Sequence, residues 1–507
     1  MLYNVVKKFK ESFGDNMYVA TSKQMKAYDK ALLKEGYSIE ELVDKASNAI
    51  LPHCMGYNNI LIVCGPGNNG ADGISLGIKL HLRARNVKLY CFGNPNKFSQ
   101  ANNFYLDQAQ EMEVSVTFMD EEDLSLFISD ARKADVVIDA MFGFGLNSEV
   151  RGIAKILIDE INNLYDTDVI AIDLPTGLNP DTGIPYGNVI CAGKTITLTA
   201  LKQAFLNEEC HMYTGEIAVE ILDAKDLRQE LSLAKLVSPS WVKYHLKPRS
   251  YYGHKGNYGK ILHLTGCDHY RGAALLASRA SVYSGSGVVC VCSSEKVIDA
   301  LASLTPECTS CLREERLSET LFKQRDAILI GSGLGLDLQS EQYLIDTLKY
   351  AQCPLVIDAD ALTILAKHLD LLKACSVPII LTPHVGEFKR LCNYQDELEM
   401  IDKAAAFALE YNVIVVLKGP NTLITNGHES YRNITANKAM ATAGMGDVLA
   451  GMITSFVGQG YTPKNAAILA VYLHGSCGDV IGDNSYTVIP SKLIELIPQI
   501  MHEIVND

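Results

Sequence analysis

The stretch from Asn437 to Gly451, NKAMATAGMGDVLAG, sets one carboxylate among glycines. Gly444, Gly446 and Gly451 surround Asp447, and an apolar run with period-3/4 spacing follows from Val448 to Val457. The pattern reads as a tight glycine loop opening a helix. The first N–H groups and the positive dipole end of such a helix face whatever lies in front of them. Alternate glycines let the backbone approach a phosphate closely. A carboxylate in that place repels an anion, so it needs a task, and taking a proton from an attacking hydroxyl is one. Taken alone, Asp447 also fits a plain helix cap, and the rest of the chain decides between these.

The same grammar recurs. The apolar run NILIVC at 59–64 leads into GPGNNGADG at 65–73 and then into the helical pattern ISLGIKLHL. The spacing departs from GxGxxG, but Asn68, Asn69 and Asp72 add polar side chains to the glycines. Strands are expected at 87–92, 136–139 and 169–173, and a helix pair at 21–50. Asp139 precedes AMFGFGL and Asp173 precedes LPTGLNPDTG. In the second half, strands are expected at 261–264, 288–292, 327–330, 355–358, 379–381 and 413–417. Their ends carry GSGLG (331–335), DADAL (358–362), TPHVGE (382–387) and KGPNT (418–422). His254-Lys255-Gly256 is a further candidate for a loop that approaches phosphate. His384 stands between Pro383 and Gly386 with Glu387 beside it, which allows a functional role. Repeated βα units imply parallel sheets covered by helices, with ligands at the carboxyl ends of the strands.

Composition bounds the partners. A chain of 507 residues needs two or three cores. Its net charge of −14 offers no basic excess for nucleic acid or an anionic membrane. Fourteen scattered cysteines suit a reducing, cytoplasmic compartment. Cys290, Cys292, Cys308 and Cys311 invite a zinc reading, but buried structural thiols suit their spacing better. No apolar run is long enough for a membrane helix. The basic start MLYNVVKKFKESFGDN, residues 1–16, reads as an extension outside the fold. A polar, loop-like stretch near 236–250 marks a domain boundary.

At this point the motifs GNNGADG, DAMFGFG and DLPTG, followed by HKGNYGK, GSGLG, DADAL, TPHVGEF, LKGPNT and ATAGMGD, carry a resemblance. The chain resembles the bifunctional NAD(P)H-hydrate repair enzymes, from about Met17 onward. The resemblance implies an α/β protein of two domains. Residues 1–235 would be a Rossmann-like epimerase domain that interconverts the R and S forms of hydrated NADH and NADPH (NADHX and NADPHX). Residues 236–507 would be a ribokinase-like dehydratase domain that removes water from the S form using ADP or ATP with Mg2+. It implies substrate contacts at Asn68, Asn69, Gly70, Ala71 and Asp72, and at Gly143, Phe144, Gly145, Leu146, Asn147, Ser148 and Glu149. It makes Asp173 the catalytic carboxylate of the first domain and gives Asn69, Asp139 and Thr176 to a potassium ion. In the second domain Ala273, Gly335, His384 and Asp447 match substrate positions, with Asp447 catalytic. Lys418, Gly419, Pro420, Asn421, Thr422 and Gly446 match the nucleotide site. The family also implies a homo-oligomer. This chain departs from the family pattern at Phe144 and Met445, where a hydroxyl residue is usual, and at Val385, where proline is usual.

Two other readings compete. The second half alone could be a kinase for a small vitamin-precursor alcohol, using the same glycine–Asp site. The first half has cousins that act as scaffolds in RNA metabolism. The fused first half weighs against the kinase, and the acidic balance with intact glycine–acid motifs weighs against the scaffold.

Overall fold

The computed structural model describes residues 16–120 and 122–506. The extension expected at the start lies, up to residue 15, outside the described residues. The chain forms two compact units, one from Met17 to Leu233 and the other from Ala234 onward.

The first unit is built on a seven-stranded sheet, parallel throughout. Its order is Ser115–Met119, Asn86–Phe92, Asn59–Cys64, Val136–Ala140, Asp168–Ile172, Lys194–Leu198 and Glu216–Glu220. Strands buried on both faces need continuous apolar runs, and NILIVC and VVIDA are such runs. Two apolar clusters form the core. One is centred on Ile60, Ile62, Leu76 and Ile138, the other on Leu61, Val63, Val137 and Leu157. From Asn59–Cys64 the chain winds first towards Asn86–Phe92 and later towards Val136–Ala140 on the other side. That reversal opens a crevice at the carboxyl ends of these two central strands.

The second unit repeats the principle. The order Thr309–Leu312, Val288–Ser293, Lys260–Leu264, Ala327–Ile330, Leu355–Ile357, Ile379–Leu381, Ile414–Leu417 is parallel. An antiparallel pair, Leu423–Thr425 and Ser430–Arg432, continues it, and Ala234–Leu236 adds to Ser430–Arg432 in parallel. The helix Met445–Gly458 lies against the sheet and against the helix Arg271–Tyr283. A Cβ at Gly451 would come within 2.2 Å of the Ala277 carbonyl, so this crossing requires glycine. The reversal of strand order falls between Lys260–Leu264 and Ala327–Ile330. There the Gly266 N–H donates to the Ser332 carbonyl at 2.9 Å.

One expectation is corrected. Asn68 to Asp72 do not form a loop; they are the first turn of the helix Asn68–His81. The glycines serve packing: a Cβ at Gly70 would sit 1.9 Å from the Gly65 carbonyl oxygen, and one at Gly73 2.5 Å from the Ala140 Cβ. The His254–Gly256 turn caps itself, with the His254 ring accepting from the Gly256 N–H at 3.1 Å. It packs against Gly287, where a Cβ would meet the Lys255 carbonyl at 1.7 Å.

Candidate functional sites

In the first unit the loops after the central strands bring the acids together. Asp139 is fully buried near the end of its strand. It accepts from the Thr176 N–H at 2.8 Å, the Thr176 hydroxyl at 2.8 Å and the Met141 N–H at 3.1 Å. Thr176 Oγ1 in turn accepts from the Phe142 N–H at 3.0 Å. Burial pushes the Asp139 carboxyl up to about 6 against the pull of these hydrogen bonds. Asn69 Oδ1 and Asp173 Oδ2 both border Gly143, at 3.1 and 3.3 Å from where a Cβ would stand, so a side chain there would press on both. Asn69 Nδ2 is buried and finds no hydrogen-bond partner among the described residues. Asn69, Gly143 and Asp173 therefore converge, and Asp139 and Thr176 are joined beside them through Phe142. Gly145, Asn147, Ser148 and Glu149 lie on an exposed loop, and Asn68 is exposed at the helix start.

Asp173 sits just past the strand Asp168–Ile172 in left-handed backbone, φ +67°, a conformation non-glycine residues avoid unless their surroundings enforce it. Its carboxylate pairs with Lys202 Nζ at 2.5 Å, and both side chains are buried. Sequence reasoning missed Lys202. Its signal was a lone lysine inside the apolar run ITLTALKQAF. It also missed Asp29, whose carboxyl is pushed up to about 6 by burial and by the charge of Asp173. Asp72 is raised well above the usual range by burial and by the charges of Asp173 and Asp29. Phe144, the departure from the family pattern, places its ring 6.0 Å from Lys202 Nζ and packs against Tyr18, Ala20, Met25, Ala200 and Leu233.

In the second unit Asp447 lies in the first turn of the helix Met445–Gly458, with Gly444 at φ +97° entering it. The glycine loop opening a helix is as read. The neighbours of Asp447 come from strand ends. Asp358 accepts from Ser332 Oγ at 3.1 Å, Thr382 Oγ1 at 2.7 Å and Lys418 Nζ at 2.9 Å. Lys418 Nζ also stands 3.8 Å from Glu387 and 3.3 Å from where a Cβ of Gly446 would be. Burial, then the charge of Asp358, pushes the Asp447 carboxyl up to about 7. Burial opposes the charge on Lys418, but Asp358 and Glu387 outweigh it and raise its pKa. The Gly335 N–H donates to Asp360 Oδ2 at 2.9 Å, and Ala273 packs beside Gly333.

His384 caps the helix Val385–Leu391. Its ring accepts from the Gly386 N–H at 2.9 Å, while the Glu387 carboxylate accepts from the His384 N–H at 2.7 Å. Of the nucleotide positions, Gly419 and Pro420 are exposed, and Thr422 Oγ1 closes the turn by donating to the Gly419 carbonyl at 3.0 Å. Met445 is buried in the core, so its side chain serves packing. The cysteines hold no metal-like cluster. Cys290 and Cys311 are 4.0 Å apart, and no group of three or more His, Cys, Asp or Glu among the described residues is arranged to hold a metal ion. No helix among these residues is long and apolar enough to cross a membrane.

The arrangement thus gathers, at the strand ends of each unit, a buried carboxylate held near a lysine. Comparison with known proteins agrees. Residues 36–204 match the YjeF-related protein N-terminus family, and residues 261–499 match the NAD(P)H-hydrate dehydratase family. A bifunctional NAD(P)H-hydrate repair enzyme of Moorella thermoacetica is 32% identical over 96% of this chain and 97% of its own length. Its counterpart in Escherichia coli is 30% identical over 93% of this chain and 91% of its own. A solved ribokinase-like superfamily protein of Enterococcus faecalis matches with a TM-score of 0.51 and 30% identity, covering 54% of this chain and 96% of that one. An ADP/ATP-dependent NAD(P)H-hydrate dehydratase of Bacillus subtilis, co-crystallised with ATP and Mg2+, is 32% identical over 53% of this chain and 97% of its own, at a TM-score of 0.48. The chain belongs to the bifunctional NAD(P)H-hydrate repair enzyme family, and its second unit has the ribokinase-like fold.

Proposed function

We propose that the protein repairs hydrated NADH and NADPH in two steps: the first unit epimerises the R and S hydrates, and the second dehydrates the S form with ADP or ATP. The observation that carries this is a glycine–acid cluster at the strand ends of each unit, in one chain of which 96% aligns with a bifunctional repair enzyme.

In the second unit Asp447 takes the proton of the ring hydroxyl as the hydroxyl oxygen attacks the terminal phosphorus of the nucleotide, whose bridging P–O bond breaks to release the nucleotide one phosphate shorter. The phosphorylated oxygen then leaves as phosphate with loss of a neighbouring ring proton, which restores the reduced nicotinamide. Lys418, held by Asp358, supplies positive charge beside Gly446 where phosphate oxygens are expected. A Mg2+ ion carried in with the nucleotide spreads the charge of its phosphates. Residues 418–422 form the nucleotide side of the crevice, and Ala273, Gly335 and His384 form the side that takes the hydrate.

In the first unit Asp173 moves the proton that inversion at the hydrated carbon requires, with Asn68 to Asp72 and Gly143 to Glu149 around the substrate. Asp139 and Thr176 offer only oxygen donors, which fits a hard monovalent cation such as potassium, with Asn69 as its third ligand. Such an ion supplies charge balance for the substrate's phosphates. Potassium at about ten times its dissociation constant then adds about 1.4 kcal/mol of stability. The first unit should melt about 3–6 °C higher in KCl than in tetramethylammonium chloride of equal ionic strength. Thr176→Val should remove that difference, and an equal shift in the variant would dismiss the site.

We place the reaction in the cytoplasm, which the fourteen unpaired cysteines suit, and in a homo-oligomer. The test of the whole reading is direct. Chemically hydrated NADH, given ADP or ATP with magnesium and this protein, should regain the absorbance of reduced nicotinamide. No return of absorbance with either nucleotide would leave a small-molecule kinase as the better reading.

A further inference from the structure

We infer that Lys202 is a positioning residue for epimerisation: it holds one oxygen of Asp173 so that the other faces the crevice at Gly143. The inference rests on the assignment of epimerisation to the first unit. An ammonium has three protons to donate. Those of Lys202 find Asp173 Oδ1 at 2.5 Å, the Leu198 carbonyl at 2.9 Å and Thr197 Oγ1 at 3.0 Å, with the Ala200 carbonyl at 3.4 Å. The side chain is 2% exposed. Every proton is therefore spent inside the protein, and none is left for a substrate.

The two oxygens of Asp173 are treated differently. Oδ1 receives Lys202, the Leu198 N–H at 3.3 Å and Thr197 Oγ1 at 3.4 Å. Oδ2 is the oxygen that borders Gly143 beside Asn69. Lys202 thus pins the inner oxygen and fixes the direction of the outer one. It also ties down the turn that follows the strand Lys194–Leu198. Backbone strain shows that this turn must be held, because Thr199 lies at φ +71° and Asp173 at φ +67°. The surroundings need the charge as well. Asp29 and Asp72 both feel the charge of Asp173, and Lys202 offsets it at Asp173 and at Asp29 while Lys79 acts on Asp72. A buried ion pair is weak evidence of stabilisation by itself. The asymmetry between the two oxygens is what assigns the pair to positioning.

A double-mutant cycle tests this with full-length wild type, Lys202→Met, Asp173→Asn and the double variant. Three things are measured on each: epimerisation kcat and KM for the R hydrate, nucleotide-dependent clearance of the S hydrate, and the melting curve. Enzyme is used at concentrations that exceed spontaneous epimerisation. Lys202→Met should lower epimerisation kcat about 100-fold, the cost of a carboxylate misplaced by about 1 Å. KM should stay within about threefold, and S clearance should be unchanged. In the Asp173→Asn background the same substitution should cost nothing further, because a residue that acts through another loses its effect when that other is gone. A further loss of similar size in that background would overturn the inference, as would wild-type kcat in Lys202→Met. If Lys202→Met does not fold, Lys202→Gln replaces it, since its amide keeps one donor for Asp173. Wild type that fails to epimerise at all is a separate result, which removes the proposed function of the first unit instead.

Discussion

Asp447→Asn is expected to abolish nucleotide-dependent dehydration while leaving the fold and nucleotide binding in place. The loss should be ~10²–10⁴-fold in rate, the usual contribution of a positioned general base. The substitution keeps size and polarity, and the helix start at Gly444 does not depend on the charge. It removes an acid that burial and Asp358 already hold up to about 7. The pH dependence follows with a definite sign. A base acts only when ionised, and Asp447 carries its proton below about 7. The kcat/KM of dehydration should therefore rise as pH increases through about 7 and level off above it. Lys418 lowers the Asp447 pKa through its charge, so Lys418→Met should move that rise to higher pH. Rates of S-hydrate clearance from pH 5 to 9, with nucleotide binding measured alongside, check both points. Unimpaired turnover in Asp447→Asn, or a rate that falls through pH 7, would remove Asp447 from the chemistry.

The sheets were readable because buried parallel strands must be continuously apolar, and NILIVC, VVIDA and AILI are. One acid at a strand end fits a turn or a cap; the acids became readable because several glycine–acid loops, at Asp139, Asp173 and Asp447 among them, recur at strand ends and helix starts. Other features have no such signature. The three-residue strands Leu423–Thr425 and Ser430–Arg432 are too short to show a period. Asn68 to Asp72 looked like a loop because glycine signals both turns and tight packing. Only the distance to the Gly65 carbonyl separates these, and that is a tertiary fact. Asp358 was visible in DADAL, but its grip on Lys418 was not, because that contact joins two different strand ends. Lys202 was hidden for the same reason. Its charge is matched by Asp173 and its other protons by the turn at 197–200, and a sequence does not announce such pairings.

Asp173→Asn is expected to separate the two activities. The residue must tolerate φ +67°, and asparagine adopts that left-handed conformation more readily than most residues, so the backbone should survive. The amide oxygen can still accept from Lys202, which limits the cost of leaving that ammonium buried. What is lost is the proton acceptor. Given a mixture of R and S hydrates with nucleotide and magnesium, the variant should consume the S half at the wild-type rate. At low enzyme the R half should then disappear close to its spontaneous rate, the enzymatic part having fallen ~10²–10⁴-fold. The S phase doubles as the folding control for the sample. A plain cap would behave differently: its loss costs about 0.5–2 kcal/mol of stability and leaves the chemistry alone. If R is cleared as fast as by wild type, Asp173 only shapes the turn. Asp72, raised well above the usual carboxylate range by burial and the charges of Asp173 and Asp29, then becomes the acid to replace.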